Sequence, residues 1–288
     1  MTNVAIITDS TLCLPQDVIS KYDIKIVPME FIYKGKVYQD GIDINPPEFY
    51  KLLSKADKIP TTSAPSPGTY FEVIQKVYNR ANEILIITLS AKFSHAFDAA
   101  RTAADIAREK LHKISIEVLD CGTAAGAQGF VVLEAAKSAF QGKSMDDVLA
   151  TAREIMPKVH VIAFIDTLLY LAKGGRIPYI AAWAGKLLNI KPLFELVPLS
   201  GGALPIGRVR TRSRAINQLL EILRLRTGNK PAHIVVMHTD ALADAEKLKK
   251  SIISRFHCAE IFLRDFTPVM GVHTGPGLLG IAYYFDDL

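Results

Sequence analysis

The sequence of 288 residues has only three cysteines and no long uninterrupted apolar run. Cys13, Cys121 and Cys258 lie far apart and form no C-x-x-C pair, and their odd number argues against a disulfide framework. We therefore expect a reducing, cytoplasmic location. No stretch of ~18 apolar residues occurs, and the N-terminus lacks a charged segment followed by an apolar one. The sequence thus predicts neither a membrane span nor a secretory signal.

Several signatures of catalysis are also missing. The sequence has no G-x-x-x-x-G-K-[ST] loop, no G-x-S-x-G elbow and no zinc-binding spacing among its seven histidines. Residues 275–280 match the dinucleotide fingerprint G-x-G-x-x-G, but the eight residues that follow are too few for a βαβ unit. Asp9, Asp120 and Asp166 each end a strand-like run, where a lone carboxylate usually caps a turn. The sequence therefore indicates no catalytic pair, metal site or cofactor.

The first half of the chain predicts a three-layer α/β/α arrangement. Apolar runs at residues 4–8, 84–89 and 114–119 alternate with helical patterns, which is typical of a parallel sheet covered on both faces. A β-rich segment at residues 24–33 predicts a strand that turns at Lys34-Gly35-Lys36, giving a hairpin insertion near 24–40. Helices are predicted over residues 15–22, 126–140 and 145–155.

The second half predicts a two-layer α/β arrangement with a mixed or antiparallel sheet. Its strand candidates are short and its helices, at residues 214–226 and 241–256, are few. We place the boundary near residue 155, which gives an N-terminal domain 1–155 and a C-terminal domain 156–288. The predicted strands cover residues 161–164, 193–198, 206–211, 233–238, 259–265 and 278–285.

Two loops of the first half carry hydroxyl groups where a helix begins. In residues 61–67, Ser66 is the predicted N-cap and Pro67 the first helical residue. Residues 90–94 follow a strand and open a helix that runs to about His112. Hydroxyls beside free backbone N–H groups suit an anion, and helix capping alone also explains them. The mean hydropathy of +0.20 leaves apolar residues for lining a cavity.

His273 lies in a predicted Gly/Pro-rich loop, residues 272–277. A tight loop fixes an imidazole, and histidine can donate to a carboxylate at neutral pH. A turn histidine without a role is an equally good interpretation. As a nucleophile–base pair, Ser94 and His273 would indicate a small-molecule hydrolase or transferase, although the sequence identifies no acid to orient the histidine.

Arginines recur at every second position between residues 208 and 214, although the net charge of the chain is only +5. On an extended strand this period directs every side chain to one face, which would suit phosphate, an acidic protein or nucleic acid. A solvated sheet edge protected from aggregation is the alternative. Lys173 and Arg176 add two cations in a glycine-containing loop. The predicted stripe comprises Arg208, Arg210, Arg212 and Arg214.

Six ordered segments, spread over the whole chain, resemble the DegV family of bacterial proteins. They are ITDST at 7–11, TSAPSPG at 62–68, ITLSAKFS at 87–94, DTLLYL and KGGRI between 166 and 177, IKP at 190–192, and residues 271–280. The resemblance implies a two-domain α/β fold with a long-chain fatty acid buried between the domains. It also implies a non-catalytic, acyl-carrying subunit of a bacterial fatty acid kinase, in which a separate ATP-using subunit phosphorylates the carboxylate.

Residue roles follow from the resemblance by position. Thr62 and Ser94 would hydrogen-bond the carboxylate, with His273 beside them and Ser63 as a weaker candidate. We expect Arg208 and Arg210, with Lys173 and Arg176, to face the kinase subunit or the transferred phosphate. Transient contact with a membrane surface would exchange the ligand, and nucleic acid is not expected as a partner.

One position departs from the family pattern. The family usually has Ser-Gly-Thr in the second loop, whereas this chain reads Ser94-His95-Ala96. His95 therefore puts a bulky side chain next to the predicted carboxylate. It would add a donor, change which acyl chain fits, or prevent this use of the site.

Overall fold

The computed structural model describes residues 4–81, 83–176, 190–197, 199 and 202–286. The strands are β1 Val4–Asp9, β2 Lys25–Val27, β3 Glu30–Tyr33, β4 Lys36–Gln39, β5 Thr61–Ser63, β6 Glu83–Thr88, β7 Ser115–Asp120, β8 His160–Phe164, β9 Lys191–Leu196, β10 Ala203–Val209, β11 Ala232–His238, β12 Cys258–Asp265 and β13 Leu279–Phe285. The helices are α1 Gln16–Lys21, α2 Pro46–Leu53, α3 Pro67–Tyr78, α4 Ala96–Lys110, α5 Ala125–Phe140, α6 Met145–Ile155, α7 Leu169–Gly174, α8 Arg212–Thr227, α9 Leu242–Ile253 and α10 Pro268–Thr274. None of the helices within these ranges is long and apolar enough to cross a membrane.

The first half contains a parallel sheet with helices on both faces. Its strand order is β2-β1-β6-β7, and every pair is parallel. Alternate residues of β6 point to opposite faces, so Ile84 and Ile86 pack with α3 and α4 whereas Leu85 and Ile87 pack with α5 and α6. The predicted three-layer α/β/α arrangement is confirmed.

The second half contains a mixed sheet, also as predicted. Its order is β10-β9-β8-β13-β11-β12, and only the β11–β12 pair is parallel. Helices α8 and α9 cover one face, where Leu219 and Leu248 pack with Ile234 and Ile281. Strand β9 ends at Leu196, and residue 198, which the sequence predicts in the same strand, lies outside the described residues.

Helix α5 lies between the two sheets. All but three of its 16 residues are buried, because it packs against β1 on one side and against β8 and β13 on the other. An all-round apolar sequence is what such a position requires. Two glycines permit the close approach: a Cβ at Gly129 would lie 2.2 Å from the Leu12 carbonyl oxygen, and one at Gly126 would lie 2.7 Å from Ala282 Cβ.

The prediction of one continuous strand at residues 24–33 is wrong. The chain leaves the parallel sheet after β2 and enters a separate sheet with the order β4-β3-β5. Pro28 lies at the break, and proline has no backbone N–H to continue a ladder. The predicted hairpin is present, with Lys34 and Gly35 at positive φ in the turn between β3 and β4. The domain boundary near residue 155 stays a prediction.

Candidate functional site

A cavity of about 650 Å³ lies between the ends of the two sheets and α10. Its size is within the range of ~300–1,000 Å³ found for small-molecule sites. Much of its wall is apolar and comes from both halves of the chain, including Leu89, Val161, Ala163, Phe194, Leu196 and Val269. Polar side chains also line it, among them Thr62, Ser63, Ser94, Arg176 and His273. The cavity can therefore hold an elongated apolar molecule with one anionic group.

Thr62 and His273 meet at this cavity although 211 residues separate them. The Thr62 Oγ1 atom and His273 Nε2 are 2.9 Å apart. Thr62 lies on β5, where it pairs with Phe31 of β3. The prediction of a loop around His273 is wrong, because this residue belongs to the last turn of α10, which begins at Pro268. A helix backbone, rather than a turn, fixes the imidazole.

The His273 imidazole is neutral at physiological pH. Burial, and secondarily the positive charge of Arg176, lower the pKa of His273 from 6.5 to about 4. Its Nδ1 atom has no hydrogen-bond partner among the described residues and packs against Gly174, where a Cβ would lie only 2.5 Å away. A proton on Nε2 therefore fits this environment, with Thr62 accepting that hydrogen bond. The Thr62 hydroxyl then has its own proton free for an anionic oxygen.

This pKa shift predicts a dependence of stability on pH. Between pH 6.5 and 4 the unfolded state binds a proton at residue 273 that the folded state does not, so acid destabilises the fold by up to about 3 kcal/mol through this residue. His273→Gln removes the titration. When the pH is lowered from 7 to 4.5, the free energy of unfolding of the variant should therefore rise by about 2–3 kcal/mol relative to that of the unsubstituted protein. Urea unfolding at both pH values measures the difference, and a constant difference would contradict the prediction.

Ser94 and Ser63 also line the cavity. Ser94 Oγ accepts a hydrogen bond from the Ala96 backbone N–H at 3.2 Å, next to the start of α4. Ser63 Oγ donates to the Ala64 carbonyl oxygen at 3.1 Å. Ser94 thus keeps its hydroxyl proton available in these contacts, whereas Ser63 uses its own. Ser63 stays a weaker candidate than Ser94.

A nucleophile–base pair between Ser94 and His273 lacks support in the geometry. His273 Nε2 contacts Thr62, and no carboxylate in the described part of the chain contacts Nδ1. A base that activates a serine normally has a third group to orient it. The described residues also contain no cluster of His, Cys, Asp or Glu suited to a metal ion.

A buried polar network behind the cavity was not identified as part of the site from the sequence. Asp9 accepts hydrogen bonds from the Thr11 hydroxyl at 2.5 Å and from the Leu89 N–H at 2.8 Å. Thr11 lines the cavity and also contacts Gln128 of α5 at 2.7 Å. The network therefore joins the ends of β1 and β6 to α5. Two signals in the sequence lie at this place: Asp9 follows an apolar run, and ITDST at 7–11 is one of the six family-like segments.

A second buried carboxylate connects the first half to α10. Asp40 accepts from Ser10 Oγ at 2.6 Å and from the Val269 N–H at 3.1 Å. Burial raises the pKa of Asp40 to about 6, and the hydrogen bonds from Ser10 and Val269 oppose this effect. Asp40 thus holds the first turn of the helix that carries His273.

The predicted arginine stripe does not exist as one surface. Strand β10 ends at Val209 and α8 begins at Arg212, so the period of two does not continue on an extended backbone. Arg208, Arg210 and Arg214 are exposed, whereas Arg212 turns inward and forms ion pairs with Asp166 and Asp244.

The other two predicted cations lie near α7. Arg176 lines the cavity and donates from Nη1 to the Gly174 carbonyl oxygen at 2.7 Å, while Lys173 is exposed and does not line the cavity.

A family model described as "Uncharacterised protein, DegV family" matches residues 3–286. The chain belongs to the DegV family. A DegV domain-containing protein of Clostridium perfringens is 33% identical over 281 residues, which cover 97% of this chain and 98% of that protein. Two solved structures each have a TM-score of 0.89 and each match covers 99% of this chain and 100% of the other. One is a DegV family protein from Thermus thermophilus described for fatty acid binding, 29% identical, and the other is DegV from Bacillus subtilis, described as a fatty acid binding protein, 27% identical.

His95, which departs from the DegV pattern, does not fill the candidate carboxylate site. It is the residue before α4, and its side chain is 92% exposed. The imidazole Nδ1 lies 3.3 Å from Asp98 Oδ2 in the first turn of that helix. The side chain therefore lies in solvent at the rim of the cavity.

Proposed function

We propose that this DegV protein binds a long-chain fatty acid in the 650 Å³ cavity and carries it without chemically changing it. The observation that supports the proposal is the combination of an apolar wall with the Thr62–His273 pair. The fatty acid binding described for the relatives from Thermus thermophilus and Bacillus subtilis agrees with it.

The proposed head-group site supplies donors, not a base. A carboxylate removed from water needs hydrogen bonds, because it would otherwise be protonated or expelled. Thr62 and Ser94 would donate to its oxygens, His273 would fix the Thr62 hydroxyl, and Ser63 would be a weaker contact. The acyl chain would lie along the apolar wall. Burying about 16 carbons contributes on the order of 10 kcal/mol, part of which offsets the ordering of the ligand.

Native mass spectrometry of the protein purified from bacteria tests the binding. We expect one long-chain fatty acid per chain, identified after denaturation, and displacement of this ligand by added palmitate or oleate. A protein that is empty and also ignores both added fatty acids would refute the proposal. Cytoplasmic location and transient membrane contact stay predictions.

The second part of the proposal is that the bound carboxylate is presented to a separate kinase subunit. No phosphate-binding loop occurs in the sequence, so the phosphoryl donor would come from a partner. The exposed Arg208 and Arg210, with Lys173 and Arg176 beside the cavity, would face that partner or the transferred phosphate.

Charge reversal tests this surface. We expect Arg208→Glu with Arg210→Glu to slow acyl-phosphate formation with the kinase subunit by about tenfold or more, because exposed charges mainly set the rate of encounter. Arg153→Glu with Arg255→Glu is the control, since both arginines are exposed on α6 and after α9. Fatty acid binding should stay unchanged in both double variants. Equal phosphorylation by the two would disprove the docking role.

A further inference from the structure

Residues 166–174, which lead into and include α7, meet residues 273–277, which end and follow α10, along a seam made by glycines. At three points, a glycine of one segment lies against a side chain of the other, and a Cβ there would be 2.1–2.5 Å from that side chain. The pairs are Gly174 with His273, Tyr170 with Gly275, and Asp166 with Gly277. Residue numbers rise from 166 to 170 to 174 on the first segment while they fall from 277 to 275 to 273 on the second. The two segments therefore run in opposite directions. The seam therefore determines where the His273 imidazole lies.

Arg212 joins the two segments at the far end of this seam. Its Nη1 atom donates to Asp166 Oδ1 at 3.1 Å and to the Gly277 carbonyl oxygen at 2.6 Å. Its Nε donates to Asp244 Oδ2 at 2.5 Å, which anchors the side chain in the first turn of α9. One guanidinium thus contacts both partners of the Asp166–Gly277 pair, a geometry for which a lysine has too few fixed donors.

We propose that Arg212 is a positioning residue for the carboxylate site, because it closes the seam between α7 and α10 and so holds His273 against Gly174. The expected effect of Arg212 on fatty acid binding rests on the proposed function. Its expected effect on the titration of the His273 imidazole does not. Arg212 touches neither the cavity nor Thr62, so it acts through Asp166 and Gly277.

Arg226 offers a matched control for a merely structural role. It lies on the same helix, α8, and binds both oxygens of Glu195 and the Tyr283 hydroxyl. Its side chain is 33% exposed, compared with 23% for Arg212. Asp166 also pairs with Lys191, whose Nζ lies 3.0 Å from Asp166 Oδ1. The Asp166 carboxylate therefore keeps a cationic partner in Arg212→Lys.

The test compares Arg212→Lys with Arg226→Lys by NMR titration of His273, assigned with His273→Gln, and by fatty acid affinity. In Arg212→Lys we expect the imidazole to titrate about one pH unit closer to 6.5, because the loosened seam admits water. The dissociation constant should rise about tenfold, the equivalent of one charge-assisted hydrogen bond. Arg226→Lys should leave the His273 titration and the dissociation constant unchanged, even if it lowers the melting temperature as much as Arg212→Lys does.

Equal behaviour of the two variants, or an unchanged titration of His273 in Arg212→Lys, would overturn the proposal. Gly277→Ala provides a second route, since its Cβ would lie 2.4 Å from Asp166 Oδ2 and would open the same end of the seam without altering Arg212. We expect it to shift the His273 titration in the same direction, and no shift would contradict the role of the seam. If the unsubstituted protein binds no fatty acid, the proposed function fails, and the titration alone still decides the role of Arg212.

Discussion

Thr62→Val should weaken fatty acid binding by about 10- to 100-fold, because a buried carboxylate would lose a hydrogen bond worth roughly 1.5–3 kcal/mol. Valine keeps the branched shape of threonine, so the wall of the cavity changes little. The hydroxyl that is lost also holds His273 Nε2 at 2.9 Å, and the imidazole would then face the ligand alone. Isothermal titration with palmitate at pH 7.5 measures the change.

Thr61→Val is the matched control for this experiment. Thr61 precedes Thr62 on β5, so its side chain points to the opposite face, and it is exposed. The same substitution there should leave the affinity unchanged. If Thr62→Val binds palmitate as tightly as the control, the carboxylate is not at Thr62.

Gly129→Ala should destabilise the fold by about 3 kcal/mol or more, since a new Cβ would overlap the Leu12 carbonyl oxygen at 2.2 Å. The new Cβ is fixed to the α5 backbone, and the atom that it overlaps is a backbone oxygen, so no side chain can turn away to relieve the overlap. Helix α5 would have to move away from the loop after β1. Because α5 also packs against the mixed sheet, the movement would disturb both halves of the chain. Urea unfolding, monitored by circular dichroism, measures the loss.

Gly68→Ala shows what the same substitution does where space is available. Gly68 is an exposed residue in the first turn of α3, and its nearest neighbour would be Ser66 Oγ at 3.4 Å. Alanine should stabilise the protein there by up to about 1 kcal/mol, because it is the better helix former. If Gly129→Ala and Gly68→Ala change the free energy of unfolding by similar amounts, α5 does not need to approach Leu12 closely at residue 129.

The regular elements were predictable where their signal is local. Helix α6 spans the predicted residues 145–155, because Ser144 caps it and its apolar residues follow a helical period. Strand β6 appears within one residue of its predicted start, since a continuous apolar run flanked by helices is typical of a central parallel strand. Helix α2 was missed, although Asn45 and Glu48 form a capping box that the sequence displays.

Elements that depend on distant partners were not predictable. The break between β2 and β3 sends neighbouring residues to different sheets, and nothing local but Pro28 marks it. Helix α10 contains Gly271 and ends just before Gly275, so its sequence is typical of a loop. Its first turn is nevertheless held by Asp40, which is 229 residues from Val269 in the chain. The arginines at 208–214 share a period, but the inward turn of Arg212 follows from Asp166 and Asp244.

Local patterns along the chain are enough to predict the α/β class, the parallel and mixed sheets, and the residue types that suit a carboxylate, because apolar periodicity and helix caps act over a few residues. The DegV resemblance added which hydroxyls to consider. The contact between Thr62 and His273, the neutral imidazole, and the place of Arg212 in a seam instead of on a surface follow from the folded chain alone. These properties arise from packing between segments more than 40 residues apart, as the 211-residue separation of Thr62 and His273 illustrates.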